Sequence, residues 1–156
     1  MIEKAFVGGA DKNCEWLLPW WLGNIRKNSS IPVLIYDFGL SKKGKDWAHR
    51  NNIDLLTLEH NNGWFMKPSA ILDAPAKQRI WLDIDCEVKK PIDDIFSFIE
   101  EERIAVAPDP VHSWGCKYNS GVVGVQDKPA AVKEWKRMCD NPKQYGQMGR
   151  GGQELL

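Results

Sequence analysis

The sequence has no excess of either charge. Its 21 Lys and Arg are matched by 21 Asp and Glu, which leaves no electrostatic basis for a nucleic-acid partner. It has no C-x-x-C pair. The four cysteines stand apart at 14, 86, 116 and 139, and the three histidines are scattered at 49, 60 and 112, which speaks against a structural zinc site. No run approaches the ~20 apolar residues that span a bilayer. The N-terminus, Met-Ile-Glu-Lys-Ala-Phe-Val-Gly-Gly, lacks the apolar segment of a signal peptide. Free thiols in a reducing cytoplasm are the expectation. Repeats, low-complexity tracts and linkers are also missing, and 156 residues suit one domain, 1–156, with one core.

What is present is an alternation of short apolar runs with amphipathic stretches. Strands are expected at Ala5–Val7, Val33–Tyr36, Leu55–Leu58, Arg79–Leu82, Ile104–Ala107 and Val122–Val125. Helices are expected at Trp16–Lys27, Lys42–Arg50, Lys67–Leu72, Pro91–Ile99 and Pro129–Cys139. Pro19 is tolerable in the first turn of its helix, and Asp93 and Asp94 suit the first turn of theirs. Trp16, Trp20 and Trp21 share one helix and are expected in the core. The pattern predicts an α/β fold with a mainly parallel central sheet and helices on both faces. In such sheets ligands gather at the carboxyl ends of strands, where the strand order reverses.

The chemistry concentrates in Trp81-Leu82-Asp83-Ile84-Asp85. Two aspartates one residue apart on an extended segment point the same way. Paired carboxylates repel, and a hard divalent cation relieves the repulsion. Mg²⁺ or Mn²⁺ suits one or two carboxylates, with phosphate oxygens completing the octahedron. The apolar run Ile80-Trp81-Leu82 would hold the pair on a buried strand. A surface turn is the plainer alternative, since D-x-D is a common pattern. An apolar strand ending in D-x-D also opens the haloacid-dehalogenase-like phosphatases, but Glu87 and the mid-chain position depart from their pattern.

Five segments in order resemble GT-A glycosyltransferases of the glycogenin and bacterial galactosyltransferase type. They are Gly9-Ala10-Asp11-Lys12-Asn13, Lys67 before Ser69-Ala70-Ile71-Leu72, Trp81-Leu82-Asp83-Ile84-Asp85, Ala107-Pro108-Asp109-Pro110 with Tyr118-Asn119-Ser120-Gly121-Val122, and Gly152-Gln153-Glu154-Leu155-Leu156. The resemblance implies a hexosyltransferase that uses a nucleotide-sugar, with UDP-sugar as the donor class, and a carbohydrate or glycosylated acceptor. It implies Asp83 and Asp85 as metal ligands and, with Gln153, as the catalytic set. Gly8, Gly9, Asp11, Asn13, Lys67, Asp83 and Ile84 would line the nucleotide-sugar. Trp114, Asn119, Ser120, Gly121 and Gln153 would face the sugar and acceptor, with Trp64 a second stacking candidate. Asp11 and Asn13 also suit turn and cap chemistry, and Lys67 also suits a solvated helix start.

One departure stands out. The family carries Asp before the Gln, where this chain has Gly152. That leaves a non-catalytic nucleotide-sugar-binding domain as a second reading. The last residues look like the start of a helix, so a further C-terminal part is expected.

Overall fold

The computed structural model describes residues 2–59, 63–109, 117–141 and 144, the side chain of Trp64 apart. Six strands form one sheet: β1 (Ile2–Ala10), β2 (Val33–Asp37), β3 (Leu55–Leu56), β4 (Ala76–Leu82), β5 (Ile104–Pro108) and β6 (Tyr118–Gln126). Their order is β3-β2-β1-β4-β6-β5. The first four strands in that order are parallel, whereas β6 runs antiparallel to both β4 and β5. Four α-helices are described: α1 (Leu18–Asn28), α2 (Lys42–Arg50), α3 (Lys67–Asp73) and α4 (Ala130–Asp140).

Alternation along each strand divides the core between the two faces of the sheet. On one face Phe6, Ile35, Ile80 and Leu82 pack with Leu18, Trp21, Leu22 and Ile25 of α1 and with Phe96 and Ile99. On the other, Val7, Tyr36, Trp81, Val123 and Val125 pack with Ala70 and Ile71 of α3 and Val132, Trp135 and Cys139 of α4. Burying a side chain such as Leu or Ile stabilises the fold by roughly 1.5–3 kcal/mol.

Three sequence expectations are corrected here. Trp21 is fully buried, but Trp16 is 73% and Trp20 is 43% exposed. A 3-10 turn at Glu15–Leu17 precedes α1, whose first residue is Leu18, so only one of the three tryptophans faces the sheet. The segment expected to be helical at Pro91–Ile99 is a 3-10 helix, Asp93–Phe98. The strands expected at Ile104–Ala107 and Val122–Val125 are longer than that, β6 beginning at Tyr118, which pairs with Pro108, and the Asp109 N–H donates to the Lys117 carbonyl at 3.0 Å.

Chain order around β1 has a consequence for ligands. The chain leaves β1 for β2 and β3 on one side and returns as β4 on the other. The order reverses between β1 and β4, so the carboxyl ends of those two strands flank the crevice where parallel sheets bind ligands.

Asp37, at the end of β2, shapes the turn beside that crevice. Its Oδ1 accepts from the Gly39 and Leu40 N–H groups at 2.8 and 2.6 Å, and its Oδ2 lies 2.9 Å from Lys45 Nζ. Burial pushes its pKa up, but Lys45 and the two amides outweigh it and hold the carboxyl below its ordinary value. A lowered native pKa gives stability that is complete above the unfolded value, about 4, and is lost as pH falls through the native one. Thermal unfolding of wild type and Asp37→Asn should therefore differ most at neutral pH and converge in acid. A gap that persists undiminished at pH 2 would contradict this.

Candidate functional site

The crevice is built from four pieces of chain. The first is the turn after β1. Asp11 Oδ1 accepts from the N–H groups of Asn13 (2.8 Å) and Cys14 (3.2 Å), and Oδ2 accepts from Asn13 Nδ2 at 2.9 Å. Burial raises the Asp11 pKa, but the hydrogen bonds from Cys14 and Asn13 prevail and lower it, so Asp11 is anionic near neutrality. The turn is anchored at both ends. Lys12 N–H donates to the Gly39 carbonyl at 3.0 Å, and Glu15 accepts from Ser41 N–H (2.8 Å) and Ser41 Oγ (2.5 Å) at the start of α2. Asp11 thus performs the turn chemistry weighed for it and keeps acceptor capacity on Oδ2. Asn13 is exposed beside it.

Gly8 and Gly9 lie inside β1 instead of in the loop beyond it. A Cβ on Gly8 would sit 2.5 Å from the Trp21 ring and 3.3 Å from the Leu82 carbonyl, and one on Gly9 would sit 2.5 Å from the Phe38 ring. Packing against aromatic rings accounts for both glycines.

The second and third pieces are the end of β4 and the start of α3. Ile80, Trp81 and Leu82 are buried. Asp83 continues the sheet ladder through its N–H, which donates to the Gly121 carbonyl at 2.8 Å. Strand geometry ends there, because Ile84 and Asp85 form a turn. Strand alternation therefore does not govern the pair, contrary to the reading of D-x-D as extended, and the two carboxylates have different surroundings. Asp83 Oδ1 lies 2.5 Å from the donating Trp81 Nε1 and 2.7 Å from Lys67 Nζ, and Oδ2 is 3.0 Å from the same ammonium. Asp85 is exposed and makes no hydrogen bond or ion pair with the described residues. Both act on the Cys86 thiol: burial first, then the charges of Asp83 and Asp85, push its pKa up to about 11.

The fourth piece is the start of β6. Because β6 is antiparallel to β4, its first residues reach the same edge as the last residues of β4. Lys67 Nζ donates to the Ser120 carbonyl at 2.9 Å and to Ser120 Oγ at 3.1 Å. Asn119 Oδ1 accepts from the Gly121 N–H at 2.7 Å. A Cβ at Gly121 would meet that oxygen at 2.8 Å and Asp83 Oδ2 at 3.6 Å. Asn119, Ser120 and Gly121, expected to face the sugar ahead of a strand at Val122–Val125, lie within β6 itself. Lys67 is mostly buried, at 13% side-chain exposure, and is not the solvated helix-start charge.

The sequence named Asp83, Asp85, Lys67 and Ser120 for this edge, and the fold brings all four to it. Trp81, read there only as a buried strand residue, was missed as a partner of Asp83. The signal was its place two residues before Asp83 on the same strand. Trp114 and Gln153, and the side chain of Trp64, lie outside the described residues.

No family model matches the chain, and no curated protein matches it. Solved structures do. A galactosyltransferase, LgtC, determined with donor and acceptor sugar analogues, superposes with a TM-score of 0.68 at 17% identity, over 97% of this chain and 69% of that one. The glycosyltransferase GlyE of Streptococcus pneumoniae TIGR4, in its apo form, gives a TM-score of 0.77 at 16% identity, over 99% of this chain and 42% of that one. The fold is that of the GT-A glycosyltransferases. In the GT-A fold seen here, the crevice between β1 and β4 holds the D-x-D turn. The chain spans about two thirds of the length of LgtC and less than half that of GlyE.

Asp83 and Asp85 are the crevice's oxygen donors for a divalent metal. Among the described residues no three His, Cys, Asp or Glu side chains converge on a point. Two carboxylates remain, one free and one with part of Oδ2 open. Hard oxygen donors of this number suit Mg²⁺ or Mn²⁺ when phosphate oxygens supply further ligands. Among the described residues no helix is long and apolar enough to cross a membrane.

Proposed function

We propose that the protein is a metal-dependent glycosyltransferase that moves a hexose from a UDP-sugar to a carbohydrate or glycosylated acceptor. The observation that carries the proposal is the free Asp85 beside the tethered Asp83 at the switch point of a GT-A sheet. Asp85, and Asp83 through Oδ2, would hold Mn²⁺ or Mg²⁺. When bound, the cation neutralises charge on the leaving diphosphate.

The chain's own residues do the rest. Asp11 accepts the imide N–H of uracil on its spare Oδ2 capacity, and Asn13 reaches the ribose. Lys67 adds positive charge beside the diphosphate, where it favours the developing anion. Ser120 and Gly121 line the sugar side, where the absent Cβ of Gly121 lets a ligand approach the backbone.

Two measurements test this. Calorimetry should show UDP binding that strengthens with Mn²⁺, and UDP-hexose should be turned over in the presence of an acceptor or, slowly, water. UDP affinity indifferent to metal would refute it. Metal-dependent binding without turnover would favour a non-catalytic nucleotide-sugar-binding domain, the reading that Gly152 suggests. Within the same assay, Asp11→Ala should weaken UDP by about 1–3 kcal/mol, the value of one lost buried polar pairing, and leave pyrophosphate binding alone. If it lowers only the unfolding temperature, Asp11 is a cap and nothing more.

A further inference from the structure

The chemistry of Asp83 depends on how its carboxylate is held, and two side chains, Trp81 and Lys67, hold it. Trp81 and Asp83 are two residues apart at the end of β4 and project to the same face of the sheet. The indole N–H points along the strand at Oδ1, 2.5 Å away. Trp81 itself has little freedom. It is 3% exposed and stacks on Phe38 with ring centroids 6.1 Å apart and planes 15° from parallel. Phe38 in turn stacks on Tyr36, which is fully buried and donates its hydroxyl hydrogen to Asp73 at 2.8 Å. The ammonium of Lys67 approaches the Trp81 ring to 5.7 Å, a cation–π distance, and touches both Asp83 oxygens.

The lone pairs of Asp83 can be assigned from these contacts. A carboxylate offers about four acceptor sites. Oδ1 accepts the indole hydrogen and is crowded on its other side by the Lys67 ammonium, 2.7 Å away. Oδ2 receives Lys67 and keeps one site. Lys67 has no hydrogen to spare, because its three go to Asp83, the Ser120 carbonyl and Ser120 Oγ. Rotation of the Asp83 carboxylate would break the indole contact and place a buried N–H without a partner, which is unfavourable.

We infer that Trp81 is a positioning residue: its indole N–H locks the Asp83 carboxylate so that only Oδ2 faces the crevice, limiting Asp83 to a single oxygen toward a cation or ribose and leaving Asp85 as the unconstrained ligand. The inference rests on the donor site proposed above. Phe38 acts one step behind, holding the indole plane.

The test uses Trp81→Phe, which keeps an aromatic ring against Phe38 and deletes the N–H. In the metal-free protein, the Trp81 indole proton resonance, identified by its loss in Trp81→Phe, should lie downfield and exchange slowly. It should move upfield and exchange faster in Asp83→Ala. An unmoved resonance overturns the inference. In binding, Trp81→Phe should weaken Mn²⁺-dependent UDP affinity about 10-fold, as losing the partner of a metal ligand does, while metal-free uridine affinity stays at the wild-type value. A purely structural role would lower both affinities together and overturn the inference, as would an unchanged Mn²⁺ dependence. Wild-type UDP affinity indifferent to Mn²⁺ overturns the donor reading and the inference resting on it. The indole resonance still responds to Asp83→Ala in that case, which tells the two failures apart.

Discussion

Asp85→Asn is expected to abolish the metal dependence of UDP binding, lowering affinity in the presence of Mn²⁺ by about 100-fold or more, and to leave the unfolding temperature unchanged. The two halves of this expectation have separate causes. Asp85 is exposed and has no partner among the described residues, so the fold loses nothing when its charge is removed; such surface changes are usually within about 0.5 kcal/mol. Among the described residues, its free carboxylate is the group at the crevice with full capacity for a hard cation. Losing even an outer-shell partner of a metal ligand costs 10–100-fold in affinity, and a ligand itself should cost at least as much. Asp83→Asn should behave differently. An amide in place of the carboxylate leaves the mostly buried Lys67 ammonium without its counter-charge, and removing one partner of such a pair leaves an uncompensated charge. That variant should lose both metal-dependent binding and stability. Isothermal titration with and without Mn²⁺, paired with thermal unfolding, checks both variants. If Asp85→Asn binds Mn²⁺ and UDP as wild type does, Asp85 is not a ligand.

Gly8→Ala is expected to destabilise the fold by about 1–3 kcal/mol, the cost of overpacking a well-filled core. The new methyl would meet the Trp21 ring at 2.5 Å, and the Leu82 backbone carbonyl lies 3.3 Å away on the same side. Trp21 is fully buried and cannot swing aside. The converse change, Trp21→Ala, should cost about 3–5 kcal/mol, as for a buried aromatic. The two are coupled, since they compete for one space. In a Trp21→Leu background the added methyl has room, so the penalty of Gly8→Ala should shrink. A double-mutant cycle in urea measures this, with non-additivity expected because the groups touch. Additive effects would show that the clash with the Leu82 carbonyl dominates. Gly8 precedes the Asp11 turn in β1, and Leu82 precedes Asp83 in β4. A shift at this contact would move both sides of the crevice, so UDP affinity should fall with stability in Gly8→Ala.

Much of the architecture is local and therefore legible in the chain. The strand cores at Val33–Tyr36 and Arg79–Leu82 are short, mostly apolar runs that each stop at an aspartate, and helix α2 spans Lys42–Arg50 as expected, starting after Ser41, whose Oγ accepts from Gly44 N–H. Pro19 sits in the first turn of α1 because its missing N–H costs nothing there. The D-x-D turn could be placed at a strand end for the same reason: an apolar run must stop where carboxylates begin. What the chain could not reveal depends on pairing between distant segments. Local pattern does not distinguish a parallel β6 from an antiparallel one, yet the antiparallel pairing alone carries Ser120 and Gly121 to Asp83. Periodicity marks a helix face but not its phase, and the 3-10 turn at Glu15–Leu17 sets that phase, turning Trp21 inward and leaving Trp16 and Trp20 outside. The unequal roles of Asp83 and Asp85 arise in the same way. Both are carboxylates in the sequence; only the packing of Lys67 and Trp81 around one of them makes the first a tethered group and the second a free one.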